Sequence, residues 1–256
     1  MTPTERIEAA RAELMAARRE LVAALRSERS RRRAALNREL HELDRMLRPD
    51  YRFTSQAGQD RVVDTALKGK RGGTFVDVGG YDGVTGSNSL FFELFRGWTG
   101  LLVEPVPAQL AKARQVRRCE CLGVAVAPGA GEADFIEVRA GYTQMSGLAS
   151  SYDADLLATV RDDPRHDEAL LRVETKPLSD ILTDAGLPDP DFLSLDIEGG
   201  ELAVLEAFPF ARHDITAWSI ENNTASPRIP EIMRANGYDL VEFCGPDEIY
   251  LERRPG

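Results

Sequence analysis

Apolar positions follow one period at the start of the chain and another over the rest. From Pro3 to Leu47 they recur at helical spacing. Ile7, Leu14 and Leu21 lie seven apart with Ala10, Ala17 and Ala24 between them, and Leu36, Leu40, Leu43 and Leu47 form a second stripe. The stripes are out of phase, because Leu21 and Leu36 are separated by one residue more than two heptads. Between them Arg26–Arg33 holds five Arg and no apolar residue. This predicts two amphipathic helices with a break near Ser27–Arg33, the Arg run reading as a solvated charge cluster. Pro49 stops the second helix.

Beyond Pro49 short apolar runs of strand length alternate with helical stretches. Strands are predicted at Thr74–Val78, Gly100–Val103, Glu120–Ala127, Ala133–Val138, Leu171–Glu174, Asp191–Leu195 and Ile215–Ile220. A closing hairpin follows at Tyr238–Phe243 and Glu248–Leu251. Helices are predicted at Arg61–Leu67, Ser87–Phe95, Ala108–Val116, Leu178–Ala185, Glu201–Ala207 and Pro227–Ala235. Such alternation means an α/β domain around a mainly parallel sheet. Residues 1–48 then form a helical extension and residues 49–256 the α/β domain. The polar stretch Arg139–Asp167 is the least regular part and reads as a lid or substrate loop.

Charge sharpens this division. The 256 residues carry a net charge of −10, yet residues 1–50, with 12 Arg and 9 Asp or Glu, stand at +3 and leave −13 on the remainder. An acidic body argues against nucleic acid as the main partner. No apolar run reaches the roughly 18–20 residues that span a bilayer, and no signal-peptide core opens the chain, so a cytoplasmic location is expected. Three cysteines do not suggest a disulfide framework. The heptad blocks at the N-terminus are a coiled-coil signal and lead us to expect a homo-oligomer assembled through them.

Candidate chemistry begins at Thr74–Gly86, which reads as strand, glycine loop and helix start. Gly79 and Gly80 let the backbone turn sharply and let a ligand approach bare main chain. The G-x-G-x-x-G fingerprint is absent, and Asp77 and Asp82 flank the loop. Two carboxylates disfavour a pyrophosphate and suit a ligand with an amino group. Glu104, ending the next strand 21 residues after Gly83, is placed to take ribose hydroxyls. An amino acid at one end and a nucleoside at the other describe S-adenosylmethionine. Asp77, Glu104, Asp196 and Glu221 all fall at carboxyl ends of predicted strands, where such sheets bind ligands.

These segments also resemble a known family. SQAGQD at Ser55–Asp60, FVDVGGYDG at Phe75–Gly83 followed by SNS at Ser87–Ser89, GWTGLLVEP at Gly97–Pro105 and FLSLDIEGGELAVL at Phe192–Leu205 resemble the FkbM family of S-adenosylmethionine-dependent methyltransferases. The resemblance runs from Ser55 to about Leu251. It implies a seven-stranded, Rossmann-like class I methyltransferase sheet with an antiparallel last strand, and O-methylation of hydroxyls on sugars or natural products. On it we expect Gln59, Asp77, Gly79, Gly80, Asp82, Asn88, Glu104, Pro105 and Asp196 to bind the cofactor, and Asp196, Glu198 and Glu201 to serve catalysis. An acid ending the fourth core strand with an acid–amide pair ending the fifth resembles the magnesium-binding pattern of catechol O-methyltransferase-type enzymes. Asp196, Glu221 and Asn222 are accordingly the expected Mg²⁺ ligands, and His166 and His213 are alternative bases. Two other classes stay open: a dinucleotide-dependent oxidoreductase, and a catalytically inactive scaffold that acts through its N-terminal helix.

Overall fold

A computed structural model describes residues 1–253 of the chain. The N-terminal stripes form α1 (Pro3–Ser27) and α2 (Arg33–Leu47), with the break at the Arg run. Thr2 and Glu5 close α1 with a reciprocal capping box, and Pro3 occupies its first turn. α1 packs along α2 and buries none of its residues fully. α2 is different: Asn37, Leu40, His41, Asp44 and Leu47 are buried against the body. The Arg run is solvated only in part: Arg26, Arg29 and Arg32 are exposed, and Arg31 and Arg33 are not. Arg31 pairs with Glu248 and also donates to the carbonyls of Asn222 and Pro246, while Arg33 pairs with Glu242. Acids on the closing hairpin, remote in sequence, supply the partners that a local reading could not see.

After α3 (Gln59–Ala66) comes a seven-stranded sheet. Its strands are β1 (Thr74–Val78), β2 (Thr99–Val103), β3 (Glu120–Leu122), β8 (Phe192–Leu195), β9 (Ala217–Glu221), β10 (Tyr238–Cys244) and β11 (Asp247–Glu252). The order is β10-β11-β9-β8-β1-β2-β3, with β11 antiparallel to both neighbours and the remaining pairs parallel. Strand alternation divides the sheet's side chains between two faces. Val76, Val78, Leu101, Val103, Leu193, Leu195, Trp218 and Ile220 join one core with α6 (Leu178–Asp184), α7 (Glu201–Ala207) and α8 (Arg228–Ala235). Phe75, Phe92, Trp98, Phe192 and Ile249 build the other, beneath α3. The helix expected over Ser87–Phe95 is short and continues as a π-type turn at Phe92–Arg96. α4 (Pro107–Val116) links β2 to β3.

A second sheet was not anticipated. The single strand expected over Glu120–Ala127 splits at Gly123, where a Cβ would stand 2.7 Å from Leu110. β3 stays in the large sheet. β4 (Ala125–Val126) instead joins β7 (Asp167–Lys176), β5 (Gly131–Ala140) and β6 (Gly147–Leu148), in the order β4-β7-β5-β6. The stretch expected to be an irregular lid is therefore the far end of a long β5–β7 ribbon, capped by β6 and α5 (Ala154–Arg161). Phe135, Leu148, Val173, Ala125 and Val106 pack as its core.

Candidate active site

Register brings the strand ends together. Val78 pairs with both Val103 and Leu195, and Leu195 pairs with Ile220. The next residues, Gly79, Glu104, Asp196 and Glu221, therefore stand side by side at the carboxyl edge. The strand order reverses between β1 and β8, which opens a crevice there. A cavity of about 600 Å³ occupies it, walled on the far side by Phe135, Leu148 and the 141–146 turn of the small sheet. Thr143 of that turn meets the Tyr81 hydroxyl at 2.7 Å and ties the ribbon to the glycine loop.

The floor is bare main chain by necessity. Gly79 has φ +81°, and a Cβ on it would lie 1.6 Å from the Asp196 carbonyl oxygen. A Cβ on Gly80 would strike Leu102 at 2.3 Å. Both amides donate to the Val103 carbonyl, which fixes the turn. Asp82 is placed apart from the cavity. Its carboxylate accepts from the Val84 and Thr85 amides and the Thr85 hydroxyl, which makes it a brace of the loop. It is not a cavity wall, because the turn directs it back onto its own chain.

Asp77 lines the cavity and is buried. Ser87 and Ser89 donate to it, and behind them stands Arg117, whose side chain has no exposed surface. Arg117 lies 3.8 Å from Asp77 and 3.2 Å from Glu93, and donates to the Gly83 carbonyl and the Ser89 hydroxyl. Nothing in the local pattern around Arg117 marks it, since it belongs to no motif and follows a helix end. Glu104 is held by the Tyr81 and Val106 amides, one on each oxygen, and burial pushes its carboxyl up to about 7 against those bonds. Gly79, Gly80 and Pro105 complete this wall.

Gln59 and Asn88 also line the cavity and converge on Asp247. Asn88 donates to Ser194 at 3.0 Å and to Asp247 at 3.4 Å, and Ser219 donates to Asp247 at 2.7 Å. Burial raises Asp247 to about 6, moderated by the Ser219, Gln59 and Asn88 bonds. Ser194 and Ser219 are adjacent in register with Asp77, so the sheet itself presents this polar row. Gln59 and Asn88 were expected here from the SQAGQD and S-N-S segments, whereas Ser194, Ser219 and Asp247 carried no signal of their own.

Three carboxylates crowd the other side. Oxygens of Asp196, Glu198 and Glu221 lie within 4.8 Å of one another. Burial raises all three well above their ordinary values, nearby carboxylates including Asp247 and Glu201 add to each shift, and a hydrogen bond with Glu221 moderates that of Asp196. No ion pair with a basic side chain offsets them among the described residues, and Oε2 of Glu221 is buried without a partner. Glu198 adopts φ +57°, an uncommon conformation for a residue with a side chain, which turns its carboxylate toward the other two.

Asn222 does not join them. Adjacent strand residues point to opposite faces. The Asn222 amide donates to Glu248 and the Ser226 carbonyl, and its oxygen accepts from the Ser226 amide. Glu198 takes the place expected for it. Glu201 is likewise held off, accepting from the Ile197 and Gly199 amides and so fixing the turn that bears Glu198. His213 is buried between Ser179 and the Pro188 carbonyl, and His166 faces Glu168, so neither lines the cavity.

The strand order, the penultimate antiparallel strand and a cavity between a glycine turn and acidic strand ends define the class I methyltransferase fold. A sequence profile of the methyltransferase FkbM domain matches residues 77–240, and the chain belongs to that family of S-adenosylmethionine-dependent methyltransferases. This sets aside the dinucleotide-dependent oxidoreductase. Comparison with curated proteins finds no match. Among solved structures, the chain is similar to a methyltransferase FkbM from Methylobacillus flagellatus KT at 16% identity and TM-score 0.43, over 95% of this chain and 60% of that one. It is also similar to a precorrin-6y C5,15-methyltransferase from Geobacter metallireducens at 14% identity and TM-score 0.42, over 78% and 89% of the two chains. A SAM-dependent methyltransferase from Geobacter sulfurreducens, solved with S-adenosyl-L-homocysteine, matches at 14% identity and TM-score 0.35, over 75% and 69%.

The residues present fit such a cofactor. The glycine floor leaves backbone open, Asp77 and Glu104 from neighbouring strands both line the cavity with carboxylate oxygens, and Oδ1 of Asn88 is buried without a partner among the described residues.

Proposed function

We propose that this protein is an O-methyltransferase acting on a hydroxyl of a sugar or natural-product acceptor, with a divalent cation assisting. The observation that carries the reading is the trio Asp196, Glu198 and Glu221, mutually close, with Glu198 and Glu221 buried and Asp196 half-buried, and without a basic partner among the described residues. Bound S-adenosylmethionine supplies an electrophilic methyl carbon on a sulfonium. The chain must then hold the acceptor oxygen in line with that carbon and take up the hydroxyl proton. A carboxylate whose affinity for protons is raised by burial is a better base for that step than an ordinary one. Asp77 would hold the cofactor amine, with Arg117 and the two serines fixing its orientation. Glu104 would take the ribose hydroxyls, its oxygens already aimed by two amides.

The same trio suits Mg²⁺ or a similar hard cation, which favours carboxylate oxygens and retains waters. A cation held there would lower the pKa of an acceptor hydroxyl. It would also offset the negative charge gathered there, where burial first and neighbouring carboxylates second raise the three carboxyl groups. Calorimetry with S-adenosylmethionine, followed by turnover on hydroxylated acceptors in EDTA and in Mg²⁺, tests the reading. Methylation that stops in EDTA and returns with Mg²⁺, while cofactor binding persists, is the expected outcome. Full turnover in EDTA removes the cation from the mechanism, and a methyl group found on nitrogen or carbon removes the O-specificity.

A further inference from the structure

The cavity wall carries a marked charge asymmetry. Among the described residues, six carboxylates line it, those of Asp77, Glu104, Asp196, Glu198, Glu221 and Asp247, against one basic side chain, Arg38. Arg38 lies on α2, outside the sheet and outside the matched family segment. Its side chain is exposed while it lines the cavity, so it stands at the solvent edge. The backbone beneath it is fixed. Asn37 is buried, donates to the Phe243 carbonyl at 2.9 Å and accepts from Arg61, and His41, one turn on, meets the Tyr51 hydroxyl at 2.8 Å. Arg38 itself forms no ion pair among the described residues, unlike Arg31 and Arg33 on the same segment. None of the six carboxylates uses it as a counter-ion.

We propose that Arg38 binds an anionic group, carboxylate or phosphate, on the methyl acceptor and so orients the acceptor in the cavity. The proposal rests on the methyl-transfer reading above. A guanidinium presents a planar fork that matches both anions. The acidic interior repels an anion, and Arg38 at the rim attracts it, so the two fields act in the same sense. The anionic end stays at the mouth while a neutral hydroxyl end reaches Asp196, Glu198 and Glu221. Orientation of this kind is what a two-substrate displacement needs from its binding site. It also gives the N-terminal hairpin a part in substrate choice, because α2 carries the residue and the ion pairs of Arg31 and Arg33 hold α2 in place.

The test loads the full-length protein with S-adenosylhomocysteine and titrates it with glucose 6-phosphate, glucuronate and glucose by calorimetry. At least one of the two anions is expected to bind about tenfold or more tightly than glucose, as a hydrogen bond to a charged group implies. The two anionic arms tell a phosphate-bearing acceptor from a carboxylate-bearing one. In Arg38→Ala the advantage should vanish, in Arg38→Lys part of it should remain, and affinity for S-adenosylhomocysteine should be unchanged in both. Equal binding of all three probes, binding of none, or an advantage that survives Arg38→Ala overturns the proposal. Failure of S-adenosylhomocysteine to bind the wild-type protein would instead overturn the methyl-transfer reading.

Discussion

Arg117→Ala is the most informative single substitution. It removes the cation between Asp77 and Glu93, both about 95% buried. It also removes donors to Gly83, Ser87 and Ser89 and the guanidinium that lies over the Phe75 ring. Breaking a buried ion pair from one side leaves an uncompensated charge and costs about 3–5 kcal/mol. A domain is stable by only about 5–15 kcal/mol in total. In urea, with a slope near the upper end of the usual range, about 3 kcal/mol/M, that loss lowers the unfolding midpoint by about 1–2 M. The cost should depend on pH. Burial raises Glu93, but the Arg118 amide and the Arg117 charge outweigh it and hold the carboxyl below its ordinary value of 4.5. A depressed folded-state value means stability that is present above pH 4.5 and is lost as pH falls through the folded value. The gap between wild type and Arg117→Ala should therefore narrow on acidification. Arg117→Ala combined with Glu93→Gln should lose less than the two singles together, because the stranded charge is gone. A midpoint shift below about 0.3 M at pH 7, corresponding to under 1 kcal/mol, would refute the account of this network.

Asp77→Asn should weaken S-adenosylmethionine binding by about 1.5–3 kcal/mol, the worth of a charged hydrogen bond; unchanged affinity in calorimetry would reject Asp77 as the amine site. Gly79→Ala combines a clash at 1.6 Å with an unfavourable φ, and should cost more than about 2 kcal/mol by chemical denaturation. Gly86→Ala shares the unfavourable φ, at +68°, but its Cβ would press first on the flexible Gln56 side chain instead of backbone, and should cost less. Deleting residues 1–30 should lower the thermal midpoint, because α1 buries nothing fully but supplies Arg18, the partner of buried Asp44; Asp44→Asn in the shortened chain should recover part of the loss. Deleting residues 1–47 uncovers the hairpin and gives up the burial of Leu40 and Leu47, roughly 2 kcal/mol each. Light scattering of the shorter deletion tests whether α1 assembles the protein into oligomers; an unchanged number of subunits would show that it does not.

The chain's own sequence carried what depends on neighbours a few residues away. Thr74–Val78 is a strand because β-branched and aromatic residues run into Gly79-Gly80, and β1 has those bounds. Glu201–Ala207 was legible for the same reason, as a helix start after two glycines. Asp77, Glu104, Asp196 and Glu221 were legible as candidates because each is the acid at or next to a strand's end, and parallel strands put such ends on one edge. What the tertiary structure decided was which of those polar groups are free. Asn222 follows Glu221, yet strand alternation sends it to the opposite face, where Ser226 and Glu248 claim it. Glu198 enters the carboxylate trio through a backbone angle that no residue pattern announces. Arg31, Arg33 and Arg117 look alike as surface charges, and their partners lie more than twenty residues away. Arg38 forms no ion pair among the described residues and reaches the cavity only because α2 is docked across the closing hairpin. Periodicity is a local property and survives in the sequence; charge pairing depends on which distant segments meet, and only the folded chain brings them together.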